Sequence, residues 1–101
     1  MSTPRVRLPR TASPDEVIEV RTLIDHPMVT AISTPGPRDM LARFEAEVNG
    51  EIVFAYDFDN GSSANPTFTF HVRLDETSDF VFTWTHEDGR TFISDGQVRV
   101  G

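Results

Sequence analysis

Three histidines, His26, His71 and His86, are the residues best suited to metal or acid–base chemistry in this chain. A zinc or copper site needs imidazoles that converge, usually with a carboxylate or thiolate. His71 is predicted on the solvent face of a strand and His86 at a hairpin end, and their spacing matches no ligand pattern. We therefore predict no metal and no cofactor. The alternative, a small metal-dependent redox enzyme, requires the histidines to converge.

The acidic stretch Asp57-Phe-Asp-Asn-Gly61 is a second candidate, because carboxylates at alternate positions before a glycine bend can bind calcium. An EF-hand also needs a glutamate at its twelfth position, which is Phe68 here, so a polar turn is the better interpretation. The sequence contains no cysteine, no nucleophile elbow and no phosphate-binding glycine loop. No catalytic residue is predicted, and the chain is expected not to be an enzyme.

The charge pattern excludes one class of partner and leaves another open. The formal net charge is -7 and lysine is absent, which argues against binding nucleic acid. Arg5, Arg7 and Arg10 nevertheless make the first ten residues basic. The favoured interpretation is that this strand lies on acidic neighbours in its own fold, and the alternative is a docking arm for an acidic partner.

Neither a membrane span nor a secretion signal is predicted. No apolar run approaches the roughly 20 residues of a membrane helix, and residues 1–10 lack the apolar centre of a signal peptide. Taken alone, this pattern indicates the cytoplasm, unless a partner carries the chain elsewhere.

A hairpin near the end of the sequence organises the predicted fold. Phe80, Phe82 and Trp84 fall on alternate residues, so a β-strand places their rings on one face. Asp88-Gly89 then predicts the turn, because glycine accepts a positive φ without steric cost. Three adjacent rings on one strand face require a second sheet opposite them.

The remaining sequence supplies that second sheet through similar alternation. Strands are predicted near residues 5–9, 16–24, 41–48, 51–58, 67–74 and 97–100, with Asn49-Gly50 as a tight turn, Asp95-Gly96 as a turn before the last strand and residues 11–15 as a turn-rich connection. Alternation places three sets of residues each on one face of a strand: Ile18, Val20, Thr22 and Ile24; Ile52, Phe54, Tyr56 and Phe58; and Phe68, Phe70, Val72 and Leu74. No amphipathic helix is predicted. The fold class is all-β, an immunoglobulin-like β-sandwich of about seven antiparallel strands, with residues 1–101 as one domain.

Residues 28–39 form the least regular segment, since Thr34-Pro35-Gly36-Pro37 excludes a helix or strand across its middle. The apolar residues in or beside this segment have two interpretations: they mark an interface, or they plug the end of the sandwich. These residues are Met28, Val29, Ile32 and Met40.

Several motifs together resemble one family. The motifs are Arg5-Val-Arg-Leu-Pro9, Thr22-Leu-Ile-Asp-His-Pro-Met28, Val48-Asn-Gly50, Ser63-Ala-Asn-Pro66 with Phe68 and Phe70, and Phe82-Thr-Trp-Thr85 before Asp88-Gly89. In order and spacing they resemble SoxZ, the small subunit of the SoxYZ carrier in bacterial thiosulfate oxidation. The sequence departs from the family at Val29-Thr-Ala31, where a glutamate and a glycine are usual, and in a shortened segment through Pro37.

The resemblance implies a non-catalytic subunit that pairs with a SoxY-like protein. In such complexes a cysteine on a flexible arm of SoxY carries the sulfur covalently, and sulfur-oxidising enzymes visit it transiently. This chain has no cysteine, which fits the scaffold role. The resemblance also implies export to the periplasm together with a signal-bearing partner, with no nucleic-acid or membrane partner.

His26, Met28, Asn65 and Pro66 are predicted to face the partner, because they lie in matching motifs outside strands, where packing does not obviously require them. Two further functions remain open: a stand-alone immunoglobulin-like structural or adhesion module, and a SoxYZ-like carrier subunit of another oxidation pathway.

Overall fold

The computed structural model describes residues 4–26, 28, 40–59 and 65–101. Within these ranges the chain is all-β, as predicted, and none of its residues form a helix long and apolar enough to cross a membrane. The strands are β1 Pro4–Arg7, β2 Thr11–Ala12, β3 Glu16–Ile24, β4 Leu41–Val48, β5 Glu51–Asp57, β6 Thr67–Leu74, β7 Ser78–His86 and β8 Thr91–Val100.

The strands form two sheets. One has the order β1-β3-β6 and the other the order β2-β8-β7-β4-β5. Every pairing is antiparallel except that of β2 with β8, which is parallel. The strand that the sequence did not predict is β2, whose two residues lie in a stretch interpreted as a turn-rich connection.

The core lies between the two sheets, where the predicted aromatic face of β7 is buried. Phe80, Phe82 and Trp84 are fully buried, and the ring of Phe44 on β4 lies 4.8 Å from that of Trp84. The facing sheet contributes the alternate residues of β3, which were predicted on one face and are all buried: Ile18, Val20, Thr22 and Ile24. Period-two alternation therefore placed the core correctly.

Both predicted hairpin turns are present. Asn49 and Gly50 have φ values of 51° and 84°, the left-handed pair that a two-residue turn requires. At the other turn Gly89 has φ 96°, and the His86 N–H donates to the Arg90 carbonyl at 2.8 Å. These two turns fix the register of β4 with β5 and of β7 with β8.

Two details of the predicted strands are wrong. Ile52 does not share a face with Phe54, because the register of β5 shifts between these residues and Val53 is the extra residue of a bulge. Asp95-Gly96 is not a turn before a last strand, since β8 runs unbroken through Gly96, which pairs with Phe80.

The two lateral sides of the sandwich differ. On one side the chain passes from β1 in the small sheet to β2 in the large one, and Leu8 between them packs against Gly96, where a Cβ would lie 2.8 Å from Leu8 Cδ1. On the other side β5 and β6 are the outermost strands of their sheets. Among the described residues no strand joins these two, so this side is open.

Candidate functional site

The four residues predicted to face a partner lie together where β3 ends and β6 begins. Asn65 bonds to the backbone of His26, and the Ile24 N–H donates to the Pro66 carbonyl at 3.3 Å. His26 and Met28 are only 1% and 6% exposed. The reason for choosing these two, that packing does not require them, is therefore wrong, and contact of the four residues with a partner stays a prediction.

Asn65 holds this end of the sandwich through two hydrogen bonds to one residue. Its N–H donates to the His26 carbonyl at 2.7 Å, and its Oδ1 accepts from the His26 N–H at 2.9 Å. Its φ of 52° is left-handed, a conformation that asparagine tolerates better than most residues. The side chain thus completes a backbone-like pairing for a residue that lies beyond the strand.

Asn49 repeats this arrangement at a second position. It has φ 51°, its N–H donates to the Asp79 carbonyl at 2.9 Å, and its Oδ1 accepts from the Asp79 N–H at 2.9 Å. We call these two arrangements the asparagine clamps, Asn65 on His26 and Asn49 on Asp79. Their recurrence indicates a device that joins strand ends, which accounts for Asn65 without a partner.

Two of the three histidines do converge. The ring centroids of His26 and His86 are 5.4 Å apart with the rings tilted by 58°, and both side chains are buried. His26 Nδ1 accepts from the Met28 N–H at 3.0 Å, so the neutral ring carries its hydrogen on Nε2. His86 Nδ1 lies 3.1 Å from the Asp88 nitrogen and 3.0 Å from Asp88 Oδ1. The sequence did not predict this pair.

The pair does not extend to a set of metal ligands within the described ranges. His71 lies on the exposed outer face of β6, with its Nε2 3.8 Å from Glu19 Oε2. In the part of the chain that the structure describes, no group of three or more histidine, cysteine, aspartate or glutamate side chains could hold a metal ion. The redox-enzyme alternative requires the histidines to converge, and among the described residues only His26 and His86 do so.

Apolar residues of the irregular segment divide into two groups. Met28 and Met40 are 6% and 0% exposed, which favours the interpretation that they plug the end of the sandwich. Val29 and Ile32 lie outside the described residues, as do Pro27, the Thr34–Pro37 turn, the departures at 29–31, Asn60-Gly61 and Ser63-Ala64.

Asp57, the first residue of the candidate calcium loop, pairs with Arg43 at 2.7 Å.

An aromatic surface on the open side is a stronger candidate for binding, and sequence reasoning missed it. Five rings meet between β5 and β6, and we call them the aromatic seam: Phe54, Tyr56 and Phe58 from β5 and the residue after it, and Phe68 and Phe70 from β6. Phe54 stacks on Phe70 at 4.8 Å, and Tyr56 lies 5.0 Å from Phe68. The signal was present, since both strands were predicted to have aromatic inner faces.

The seam is only half covered by the chain itself. Tyr56 is 41% exposed, the four phenylalanines are partly buried, and Val53 at the bulge is 43% exposed. Tyrosine and phenylalanine at such positions are the residues enriched in protein interfaces. Because the seam also lies between two outer strands, a partner could cover the rings and meet free backbone groups at once.

Comparisons with solved structures agree with this architecture. The chain is similar to superoxide reductase (neelaredoxin) from Ignicoccus hospitalis, with a TM-score of 0.80 and 18% identity over 98% of this chain and 80% of that one. It is also similar to the sulfur carrier protein SoxY from Chlorobium limicola f thiosulfatophilum, with a TM-score of 0.71 and 12% identity over 97% and 78%. At such identities these likenesses show the fold alone, and they confirm the predicted immunoglobulin-like sandwich.

The sequence comparisons differ in what they find. No curated protein sequence matches the chain. The profile of one family, described as sulphur oxidation protein SoxZ, matches residues 6–97. That match runs from within β1 to within β8 and includes both asparagine clamps and the aromatic seam. The resemblance found in the motifs is thereby confirmed, and the chain belongs to the SoxZ family of sulphur oxidation proteins.

Proposed function

We propose that this chain is the non-catalytic subunit of a SoxYZ-type heterodimer, and that its aromatic seam is the surface on which a SoxY-like partner docks. The observation that carries the proposal is the half-covered seam on the open side, where Tyr56 remains 41% exposed. A stable heterodimer needs a desolvated apolar patch of this kind at its centre. Membership of the SoxZ family supports the choice of partner.

The division of labour follows from composition. The chain has no cysteine, so the covalent carriage of sulfur falls to the partner's cysteine arm. In this proposal the sandwich holds the partner in place while sulfur-oxidising enzymes act on that arm in turn. The complex works in the periplasm, which the chain reaches with a signal-bearing partner. A SoxYZ-like carrier of another oxidation pathway would use the same surfaces with a different cargo.

The test is co-expression with a SoxY-like protein of the same organism, followed by gel filtration and mass measurement. A one-to-one complex is expected. The site is then tested with Tyr56→Glu, which places an unpaired charge in the seam and should weaken the complex roughly 100-fold. Val53→Glu provides a second variant, at the bulge beside the seam, that removes no ring contact and should also weaken the complex.

Ile93→Glu is the matched control, because Ile93 is 61% exposed on β8 of the same sheet and away from the seam. It should change affinity less than about threefold. Circular dichroism must show all variants folded. A wild-type chain that stays monomeric beside a folded SoxY-like protein would overturn the pairing and favour the stand-alone module. If Ile93→Glu weakened the complex as much as Tyr56→Glu, the pairing would stand but the seam would be refuted as the docking surface.

A further inference from the structure

The outer face of the small sheet concentrates positive charge on an acidic protein. Side chains of β1, β3 and β6 that point away from the core include four exposed arginines. We call this surface the arginine face, defined by Arg5, Arg7, Arg21 and Arg73 together with His71 and Glu19. Four of the nine arginines of the chain thus share a face with one of its sixteen acidic residues, which leaves a formal charge of -10 on the rest.

Three of these arginines have no acidic partner within the described residues. Arg21 Nε pairs with Glu19 Oε1 at 2.7 Å, and His71 lies 3.8 Å from the other oxygen of Glu19. No carboxylate in the described ranges lies within ion-pair distance of Arg5, Arg7 or Arg73. Within the described residues no ion pair of β1 supports the favoured sequence interpretation, that the first strand lies on acidic neighbours, although Asp25 lines the same depression as Arg5.

The register makes the arrangement unfavourable for the isolated fold. Arg7 of β1 stands directly opposite Arg21 of β3, and like charges at such positions destabilise a sheet. Arg5, Arg7 and Arg21 also line a shallow depression of about 370 Å³, which Leu23 and Thr67 line as well. Guanidinium groups grouped around a concave surface are suited to bind carboxylates in pairs of hydrogen bonds.

We propose that the arginine face is a docking surface for a carboxylate-rich surface of another protein. Anionic lipid fits less well, because the molecule is only about 20 Å across its shorter axes and its remaining charge of -10 would be held close to a uniformly negative plane. Nucleic acid fits less well for the same reason, because its phosphates would repel the acidic remainder of the protein. A folded protein presents negative charge locally and meets the arginines without meeting the acidic remainder.

This surface is distinct from the aromatic seam. The seam is built from inner-face residues at the β5 and β6 edges, whereas the arginine face is the outer side of β1, β3 and β6. One partner can therefore occupy the seam while another occupies the arginines. Binding at the arginine face does not depend on what occupies the seam, so the test of either surface can fail while the test of the other succeeds.

The probe for this surface is a peptide of ten glutamates, titrated into the full ¹⁵N-labelled chain at low ionic strength. Amide shifts are expected at outward positions of β1, β3 and β6. The double variant Arg5→Glu/Arg7→Glu should weaken binding roughly tenfold or more. Arg5→Gln/Arg7→Gln provides a milder variant. Arg99→Glu on β8 is its control, because it changes the net charge by the same amount as Arg5→Gln/Arg7→Gln at an exposed strand position off the arginine face.

Four outcomes would overturn the proposal. The first is a set of amide shifts that fall mainly outside the arginine face. The second is a loss of affinity in Arg99→Glu equal to that in the β1 variants. The third is binding to phosphatidylglycerol vesicles that requires the arginines while the peptide does not bind. The fourth is self-association of the chain that the double variant abolishes, which would make a second copy the occupant. Shifts on the face with loss only in the β1 variants support an acidic protein surface.

Discussion

The asparagine clamp at Asn65 leads to a prediction that separates its hydrogen bond from its backbone conformation. Asn65→Ala removes the acceptor of the His26 N–H at 2.9 Å, which costs about 1–2 kcal/mol for a part-buried donor. It also forces alanine to adopt φ 52°, which costs about 1 kcal/mol more. The free energy of unfolding should therefore fall by about 2–3 kcal/mol.

Two further substitutions at Asn65 divide that loss. Asn65→Gly loses the acceptor but tolerates the left-handed backbone, so it should be about 1 kcal/mol more stable than Asn65→Ala. Asn65→Asp keeps an oxygen acceptor and should stay within about 1 kcal/mol of the wild type. Asn49→Ala at the second clamp should lose less than Asn65→Ala, because the Asp79 N–H that Asn49 Oδ1 accepts from is exposed and can bond to water instead.

The assay is urea unfolding at pH 7, supported by thermal unfolding, in which Asn65→Ala should lower Tm by about 10 °C or more. Equal stability of the alanine and glycine variants would refute the conformational contribution. A loss in Asn65→Asp as large as in Asn65→Ala would refute the hydrogen-bond contribution. Affinity for the SoxY-like protein, measured below the unfolding range, then tests the prediction that Asn65 faces a partner.

Three other changes have expected outcomes. Phe82→Ala, in the fully buried face of β7, should destabilise the chain by about 3–5 kcal/mol in urea unfolding. Gly96→Ala should cost about 1 kcal/mol, because its Cβ would lie 2.8 Å from Leu8 Cδ1, and a double-mutant cycle with Leu8→Ala should show coupling. The Arg90 backbone N–H, with its guanidinium, holds the pKa of Asp88 below its usual value. The Asp88 carboxylate therefore stabilises the fold above its unfolded-state pKa, and this stabilisation is lost as the pH falls. The urea midpoints of wild type and Asp88→Asn should converge from about pH 5 to pH 3. A difference between the two midpoints that grows over this range would contradict the predicted sign.

Local pattern was sufficient to predict most strands, because one face of each sheet is buried and alternation reveals it. The predicted bounds of β3 are those observed, Glu16–Ile24. Local pattern failed where a long-range contact decides. Asp95-Gly96 has the same turn chemistry as Asp88-Gly89, but pairing with Phe80 keeps Gly96 in β8. The bulge at Val53 likewise depends on the partner strand.

The candidate site was predicted less well for a similar reason. His26 was predicted to face a partner because it lies in a matching motif beyond a strand, where packing does not obviously require it. Its burial depends on Asn65, 39 positions away, and on contact with His86, neither of which local pattern reveals. The arginine face was open to prediction in part, since Arg5 and Arg7 alternate, but its third member Arg21 joins them only through the register of β1 with β3.

The parallel pairing of β2 with β8 has a consequence for how the molecule folds during synthesis. Thr11 and Ala12 pair with Arg99 and Val100, and the Arg99 N–H donates to the Arg10 carbonyl at 3.0 Å. A ribosome delivers about 5–20 residues per second, so residues 10–12 wait several seconds for their partners. The side of the sandwich at Leu8 can therefore close only after residues 99 and 100 have been made, whereas β4 can pair with β5 and β7 before that.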